Sequence, residues 1–247
     1  MAILTTVPTS PARYQTEEFE QAVLSLSPAI AVFDCDGTLW SGDAGYGFMI
    51  WSIETGLVSR NAADWIDSRY RQYRAGEVSE AEMCGEMVQI YAGLHEEELR
   101  HAAEVYFKQH IEAHIFEEMR DLLAQLKKDG VELWAVSSTN HWVIEEGVKR
   151  FGIPASRVLA AKVRVDGDII TSHLLAVPTD ETKASGLVEA GVPAPDAVFG
   201  NSVHDAAMLA IARKAFPVNP TPVLSSISAE RGWTVFYPEA VLADQKL

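Results

Sequence analysis

Residues 30–38 read Ile-Ala-Val-Phe-Asp-Cys-Asp-Gly-Thr. The run Ile30–Phe33 is apolar without a break, which suits a parallel strand covered on both faces. It stops at two carboxylates one residue apart, Asp34 and Asp36, and then at Gly37-Thr38. In open α/β sheets ligands gather beyond the carboxyl ends of such strands, so the placement fits an active site. Two like charges this close oppose joint ionisation unless something positive lies beside them. Magnesium would satisfy that need, because it takes oxygen ligands and uses one or two carboxylates together with waters and a substrate phosphate. Asp and Gly also build surface turns, so the motif alone leaves both readings open.

The rest of the chain narrows the choice. Residues 1–16 read as irregular and Thr16–Ser25 as a helix leading into the first strand. From 41 to 113 the apolar residues recur at helical spacing, as in Met83-Met87-Val88-Ile90-Tyr91, with short breaks at Gly56, Gly76 and Gly93. This predicts an inserted unit of about four helices. After it, helix and strand alternate. Ile115–Lys128 reads as a helix, and Val131–Val136 as a strand ending in Ser137-Ser138-Thr139-Asn140. A helix over Trp142–Phe151 precedes a hairpin of Val158–Val165 and Asp168–Thr171 across an Asp-Gly turn. Thr182–Ala190 is helical, and Pro195–Phe199 is a strand running into Gly200-Asn201-Ser202-Val203-His204-Asp205. A helix over Ala206–Arg213, strands over Ala215–Val218 and Trp233–Tyr237, and a short helix between them complete the pattern. Such alternation predicts an α/β fold with a doubly wound, Rossmann-like parallel sheet. Residues 1–40 and 114–247 would form the core, with 41–113 as the insert.

Charge excludes one class of partner. The chain carries 35 acidic against 20 basic residues, a net −15, whereas nucleic-acid binding wants a basic footprint. No apolar stretch is long enough to span a bilayer, and the first residues show neither a basic leader nor an apolar run, so the expected location is cytoplasmic, away from membranes. The two cysteines, Cys35 and Cys84, suggest no disulfide framework. Cys35 lies between the aspartates, but strand alternation turns it away from them and favours a packing role. An acidic protein that handles phosphate must supply local positive charge.

Three strands end in polar clusters: Asp34/Asp36, Ser137/Ser138 and Asn201/Asp205. In a parallel sheet these lie on one edge. Lys183, at the start of its helix, reads alone as a solvated surface lysine, and beside these clusters as the missing cation.

At this point the sequence resembles the haloacid dehalogenase superfamily, in its helical-capped branch with the phosphoserine phosphatases. Phe33-Asp34-Cys35-Asp36-Gly37-Thr38-Leu39 is similar to the first family motif, and Ala135-Val136-Ser137-Ser138 to the second. Lys183 matches the third, and Gly200-Asn201-Ser202-x-x-Asp205 resembles the fourth. The resemblance implies a magnesium-dependent phosphomonoesterase acting on a small phosphorylated metabolite. Asp34 would be the nucleophile and Asp36 the general acid and base. Ser137 and the backbone N–H of Ser138 would hold phosphate oxygens, and Lys183 would offset negative charge. Magnesium would take Asp34, the Asp36 backbone carbonyl, Asn201 and Asp205, the last either directly or as the acceptor for a bound water. The dehalogenase branch lacks the second aspartate, so Asp36 speaks against dehalogenation.

The match fails in places. Asn201 stands where the family supplies an aspartate, which implies a weaker metal site and leaves a second reading, a catalytically weakened phosphometabolite-binding protein. His204 could meet phosphate or face solvent. Asp43 could meet a substrate ammonium or simply cap a helix. The arginine that takes the carboxylate of phosphoserine has no evident match, because the count reaches Glu86. That favours substrates with a cation and no carboxylate, such as phosphoethanolamine or phosphocholine, beside phosphoserine itself. Trp40, Tyr46, Phe48 and Trp51 offer either an aromatic face for that cation or ordinary core.

Overall fold

A computed structural model describes residues 10–244. The expectations for residues 1–9 lie outside the described residues. Among the described residues a six-stranded sheet has the order β4-β3-β2-β1-β5-β6. Its strands are β1 (Ile30–Phe33), β2 (Glu132–Asn140), β3 (Val158–Asp166), β4 (Ile169–Ala176), β5 (Ala197–Gly200) and β6 (Lys214–Pro217). All neighbours pair in parallel except β3 and β4, the hairpin turned by Gly167. The doubly wound α/β expectation is met.

The register explains why the polar clusters meet. Phe33 lies opposite both Ala135 and Phe199, so Asp34, Ser137 and Asn201 emerge at one edge of the sheet. The β2–β3 ladder runs from Val136↔Leu159 to Asn140↔Ala161, four residues against two. Ser137, Ser138 and Thr139 stand against Ala160 alone, a surplus of two residues, and such an irregularity re-aims side chains beside a site.

Helix α1 (Thr16–Leu24) precedes the sheet. Helices α2 (Ala44–Glu54), α3 (Arg60–Arg74), α4 (Glu80–Gln89) and α5 (Glu96–Tyr106) follow β1, and a π-helical turn, Phe107–Ile111, leads to α6 (Glu117–Lys128). Then come α7 (His141–Val148), α8 (Glu181–Glu189), α9 (Ala206–Ala210), α10 (Pro222–Arg231) and α11 (Glu239–Asp244). Asp43, Ser59 and Ser79 cap α2, α3 and α4 with their side chains, which is why each helix starts where it does. Helix α4 packs on β2, β3 and β4, and α5 on α7. The loop between α4 and α5 is joined to β4 through Gly93 N–H to the Ile170 carbonyl, Ile170 N–H to the Leu94 carbonyl, and Glu96 N–H to the Asp168 carbonyl. One apolar cluster runs from the sheet into these helices without a break.

Two expectations are corrected. Trp233–Tyr237 forms no strand; Val235 and Phe236 make isolated bridges to Arg13 and Val218. The helix expected over Ala206–Arg213 ends at Ala210, because the chain must turn into β6 at Lys214. No helix among the described residues is long and apolar enough to cross a membrane.

Helix α7 is buried along its whole length, and its first residue carries a liability. His141 lies against Trp142, with ring centroids 4.0 Å apart, and its Nδ1 is 3.4 Å from the Ala161 carbonyl. Burial, with help from Lys162, lowers its pKa from 6.5 to about 4. The folded state therefore binds fewer protons than the unfolded chain between these values, and stability is lost as pH falls through that window. The loss reaches about 2 kcal/mol by pH 5 and on the order of 3 kcal/mol below pH 4. Urea unfolding of wild type and His141→Gln at pH 7 and pH 5 checks this. The wild type should lose that much more than the variant, and equal losses would refute the assignment.

Candidate active site

Asp34 follows β1 directly and is almost fully buried. Its Oδ1 accepts from Lys183 Nζ at 2.8 Å and its Oδ2 from Thr38 Oγ1 at 2.9 Å. Burial and the nearby Asp205 carboxylate push its pKa up to about 6, against the pull of Lys183 and Thr38. Asp34 is thus ionised near neutrality but weakly solvated, which suits a carboxylate nucleophile.

Lys183 is buried at the first turn of α8. Besides Asp34 it donates to Asp205 Oδ1 at 2.6 Å. Burial works against its charge, but the two carboxylates outweigh burial and hold its pKa above the usual lysine value. It is the buried cation that the sequence required.

Asp36 is held differently. Its Oδ1 accepts from Trp40 Nε1 and Ala44 N–H, both at 2.7 Å, and its Oδ2 is 2.7 Å from Thr139 Oγ1. With Oδ1 doubly occupied, Oδ2 is left to carry a proton, and a hydroxyl partner can either donate or accept. Burial first, then the Asp43 carboxylate, raise the pKa to about 7, although these donors lower it. A carboxyl that titrates near 7 is matched to acid and base work at neutral pH. The roles of Trp40, Thr38 and Thr139 in holding the two aspartates were not read from the sequence. Only the helical i, i+4 spacing of Asp36 and Trp40, and of Asp34 and Thr38, hinted at two of them.

A cavity of about 320 Å3 opens above these groups. Asp34, Asp36, Ser137, Ser138, Thr139, Lys183, Asn201, Ser202 and His204 line its sheet side. Ser137 Oγ accepts from Thr139 N–H at 3.1 Å, leaving its hydroxyl proton for a ligand. Ser138 Oγ donates to the Pro178 carbonyl at 3.0 Å, so its backbone N–H is the group left for phosphate. His204 Nδ1 lies 2.8 Å from Asp180 Oδ1. Asp180, at φ +48°, holds the strained turn just before α8.

Asp205 is fully buried, with Oδ1 on Lys183 and Oδ2 accepting from the N–H groups of Asn201 and Ser202, each at 2.9 Å. Neither oxygen faces the cavity. The expectation of a direct metal ligand gives way to a support that fixes Lys183 and the Asn201 loop.

Magnesium would fit the remaining donors. A Cβ at Gly37 would fall 1.9 Å from Asn201 Nδ2, so the Asn201 amide lies against the Asp36–Gly37 backbone and beside Asp34. Among the described residues no group of three His, Cys, Asp or Glu could hold a metal. The donor set is therefore one carboxylate, a backbone carbonyl and an amide, all oxygen, which suits a hard cation that also uses substrate phosphate.

The far side of the cavity comes from α2, α3 and α4: Asp43, Tyr46, Tyr70, Tyr73, Arg74, Glu80 and Met83. Asp43 caps α2, through Tyr46 N–H at 2.8 Å, and also opens onto the cavity. Of the two readings of the aromatic residues, core holds for most of them. Trp40 and Phe48 are fully buried, and Trp51 stacks on Phe48; only Tyr46 reaches the cavity, stacked on Tyr70 at 4.5 Å. Glu86 is ion-paired with Arg69 at 2.7 Å and lies outside the cavity wall. An arginine that the sequence reading did not single out, Arg74, also lines the cavity, one helical turn from Tyr70.

Comparison with known proteins agrees with this geometry. A curated relative from Neisseria meningitidis serogroup C (strain 8013), named histidinol-phosphatase, is 24% identical over 217 residues, covering 83% of this chain and 97% of that protein. A Bordetella pertussis Tohama I protein of unknown function superposes with a TM-score of 0.73 at 22% identity, covering 84% of this chain and 97% of that one. A substrate-bound phosphoserine phosphatase gives a TM-score of 0.58 at 14% identity, covering 88% and 96%. The family model described as haloacid dehalogenase-like hydrolase matches residues 31–210, and the chain belongs to that family.

Proposed function

We propose that this phosphatase of the haloacid dehalogenase-like family hydrolyses a small, amine-bearing phosphate monoester through an Asp34 phosphoenzyme. The observation that carries the reading is the pairing of two carboxylates with opposite equipment. Asp34 is held ionised by Lys183, whereas Asp36 is poised near pH 7 with one oxygen free to hold a proton.

In the first step an Asp34 oxygen attacks phosphorus while the bond to the alcohol oxygen breaks, and Asp36 gives its proton to that oxygen. In the second, Asp36 takes a proton from water as the water oxygen attacks phosphorus, freeing Asp34 and inorganic phosphate. Lys183, the Ser137 hydroxyl and the Ser138 N–H offset the charge of the phosphoryl oxygens in both steps. Magnesium, bound by Asp34, the Asp36 carbonyl and Asn201, would supply further charge neutralisation at the phosphoryl group. Residues 41–113 would act as a cap over the site.

Asp43 supplies the contact for an amine. Phosphoserine, phosphoethanolamine and phosphocholine remain substrates of this class, and histidinol phosphate joins them through the Neisseria relative. The alternative, a weakened binding protein, rests on Asn201. Turnover of p-nitrophenyl phosphate with magnesium and with a chelator separates the two. Activity should fall at least about tenfold when the metal is removed. Phosphate binding without turnover under either condition would end the enzyme reading.

A further inference from the structure

The roof of the cavity holds a second carboxylate that the phosphoryl chemistry does not use. Glu80 begins α4, and its side chain is 21% exposed, facing the cavity. Its Oε2 accepts from Tyr73 Oη at 2.5 Å and its Oε1 receives a weak contact from Cys84 Sγ at 3.5 Å. An ionised carboxylate offers about four acceptor sites, so roughly half remain open. Among the described residues neither Glu80 nor Asp43 is ion-paired with a lysine or arginine. His204 Nε2 is 3.9 Å from Glu80, beyond hydrogen-bond reach, and its other nitrogen is committed to Asp180.

Asp43 and Glu80 therefore face one cavity as two anions with no cation between them. Their repulsion is felt, since the Glu80 charge adds to burial in raising the Asp43 carboxyl. The wall between them is made of tyrosines. Tyr70 stacks on Tyr46, and Tyr73 follows Tyr70 at 6.0 Å. Such faces favour cations and flat rings. Arg74 sits exposed at the rim and supplies one positive charge against two negative ones.

Resting on the phosphatase reading above, we propose that Glu80 is a specificity-determining residue that accepts from a second nitrogen group on the leaving alcohol. The amine goes to Asp43, and a further N–H donor, such as an azole ring or second ammonium, goes to Glu80 beside Tyr70 and Tyr73. The substrate class is a phosphate monoester of an alcohol with two nitrogen donors.

Steady-state kinetics of the full chain with histidinol phosphate (amine plus imidazole), phosphoethanolamine (amine alone) and phosphoserine (amine plus carboxylate) tests this. Histidinol phosphate should exceed the other two in kcat/KM by about tenfold or more. Glu80→Gln should cut its advantage over phosphoethanolamine by about tenfold, mainly through KM, and Glu80→Asp should restore part of it. A ratio of two substrates on one variant cancels general damage to the fold. Preference for phosphoserine would assign the roof to Arg74 and a carboxylate, and would overturn the proposal, as would an equal loss on both amines. If p-nitrophenyl phosphate is hydrolysed but histidinol phosphate is not, the proposal fails and the phosphatase reading stands. If neither is hydrolysed, both fail.

Discussion

Asp34→Asn lowers turnover by about four orders of magnitude or more while leaving the protein folded. The substitution is isosteric, and the amide oxygen can still accept from Lys183 or Thr38. What disappears is the charged oxygen that attacks phosphorus. The folded protein itself opposes that charge, since burial and Asp205 lift the Asp34 pKa from 3.8 to about 6. Neutralising the group therefore keeps or raises stability at pH 7. Paired measurements of phosphate release and urea unfolding would show activity lost and the midpoint unchanged or higher. Turnover within tenfold of wild type would remove the phosphoenzyme mechanism.

Lys183→Met acts on fold and chemistry together. Methionine approximates the length of the lysine stem but leaves Asp34 and Asp205 facing each other, both buried, without the cation now 2.8 and 2.6 Å from them. Breaking a buried pair by removing one partner costs about 3–5 kcal/mol. The loss should depend on pH. Without Lys183 the folded-state pKa of Asp34 rises further above its unfolded value, so the variant loses stability as pH rises through it and recovers as pH falls towards 5. Inorganic phosphate should bind the variant at least about tenfold more weakly, since an anion must now approach two uncompensated carboxylates. Denaturation at pH 5 and pH 7, with phosphate titration by calorimetry, checks all three effects. Wild-type stability and phosphate affinity in the variant would show that Lys183 is not the charge that makes the site possible.

The sheet edge of the site was legible because each of its pieces is local. An apolar run ending in polar residues is written in four to nine consecutive positions, and parallel pairing then brings the pieces together without further instruction. Asp34, Asp36, Ser137, Lys183 and Asn201 all line the cavity for that reason. The supporting contacts were hidden because they join distant segments: Thr139 to Asp36 spans 103 positions. Tyr70, Tyr73, Arg74 and Glu80 were hidden for another reason. They lie on amphipathic helices where an aromatic at helical spacing reads equally as core, and only tertiary packing decides which face looks inward. The same ambiguity left Trp40 and Phe48 open between cavity wall and core. Trp233–Tyr237 reads as a strand by composition, but a β-branched aromatic segment needs a partner of matching length, and here it finds only single bridges.

The helical insert is not uniformly fastened. Its α4–α5 connection is hydrogen-bonded to the backbone of β4, and Arg100 on α5 meets Glu145 of α7 at 2.8 Å, tying that half to the sheet. Helix α3 has no such stitching. It buries only Ile66 fully and leans chiefly on α4. Yet α3 carries Tyr70, Tyr73 and Arg74, which line the far side of the cavity. Low local anchoring means low local opening free energy. On the proposed mechanism, the machinery for breaking the ester is thus welded to the scaffold, while part of the surface that would inspect the alcohol rides on a loosely moored plank. Any affinity gained there is reduced by the entropy of settling that plank, so recognition of the alcohol and its escape after hydrolysis are governed by a single local equilibrium.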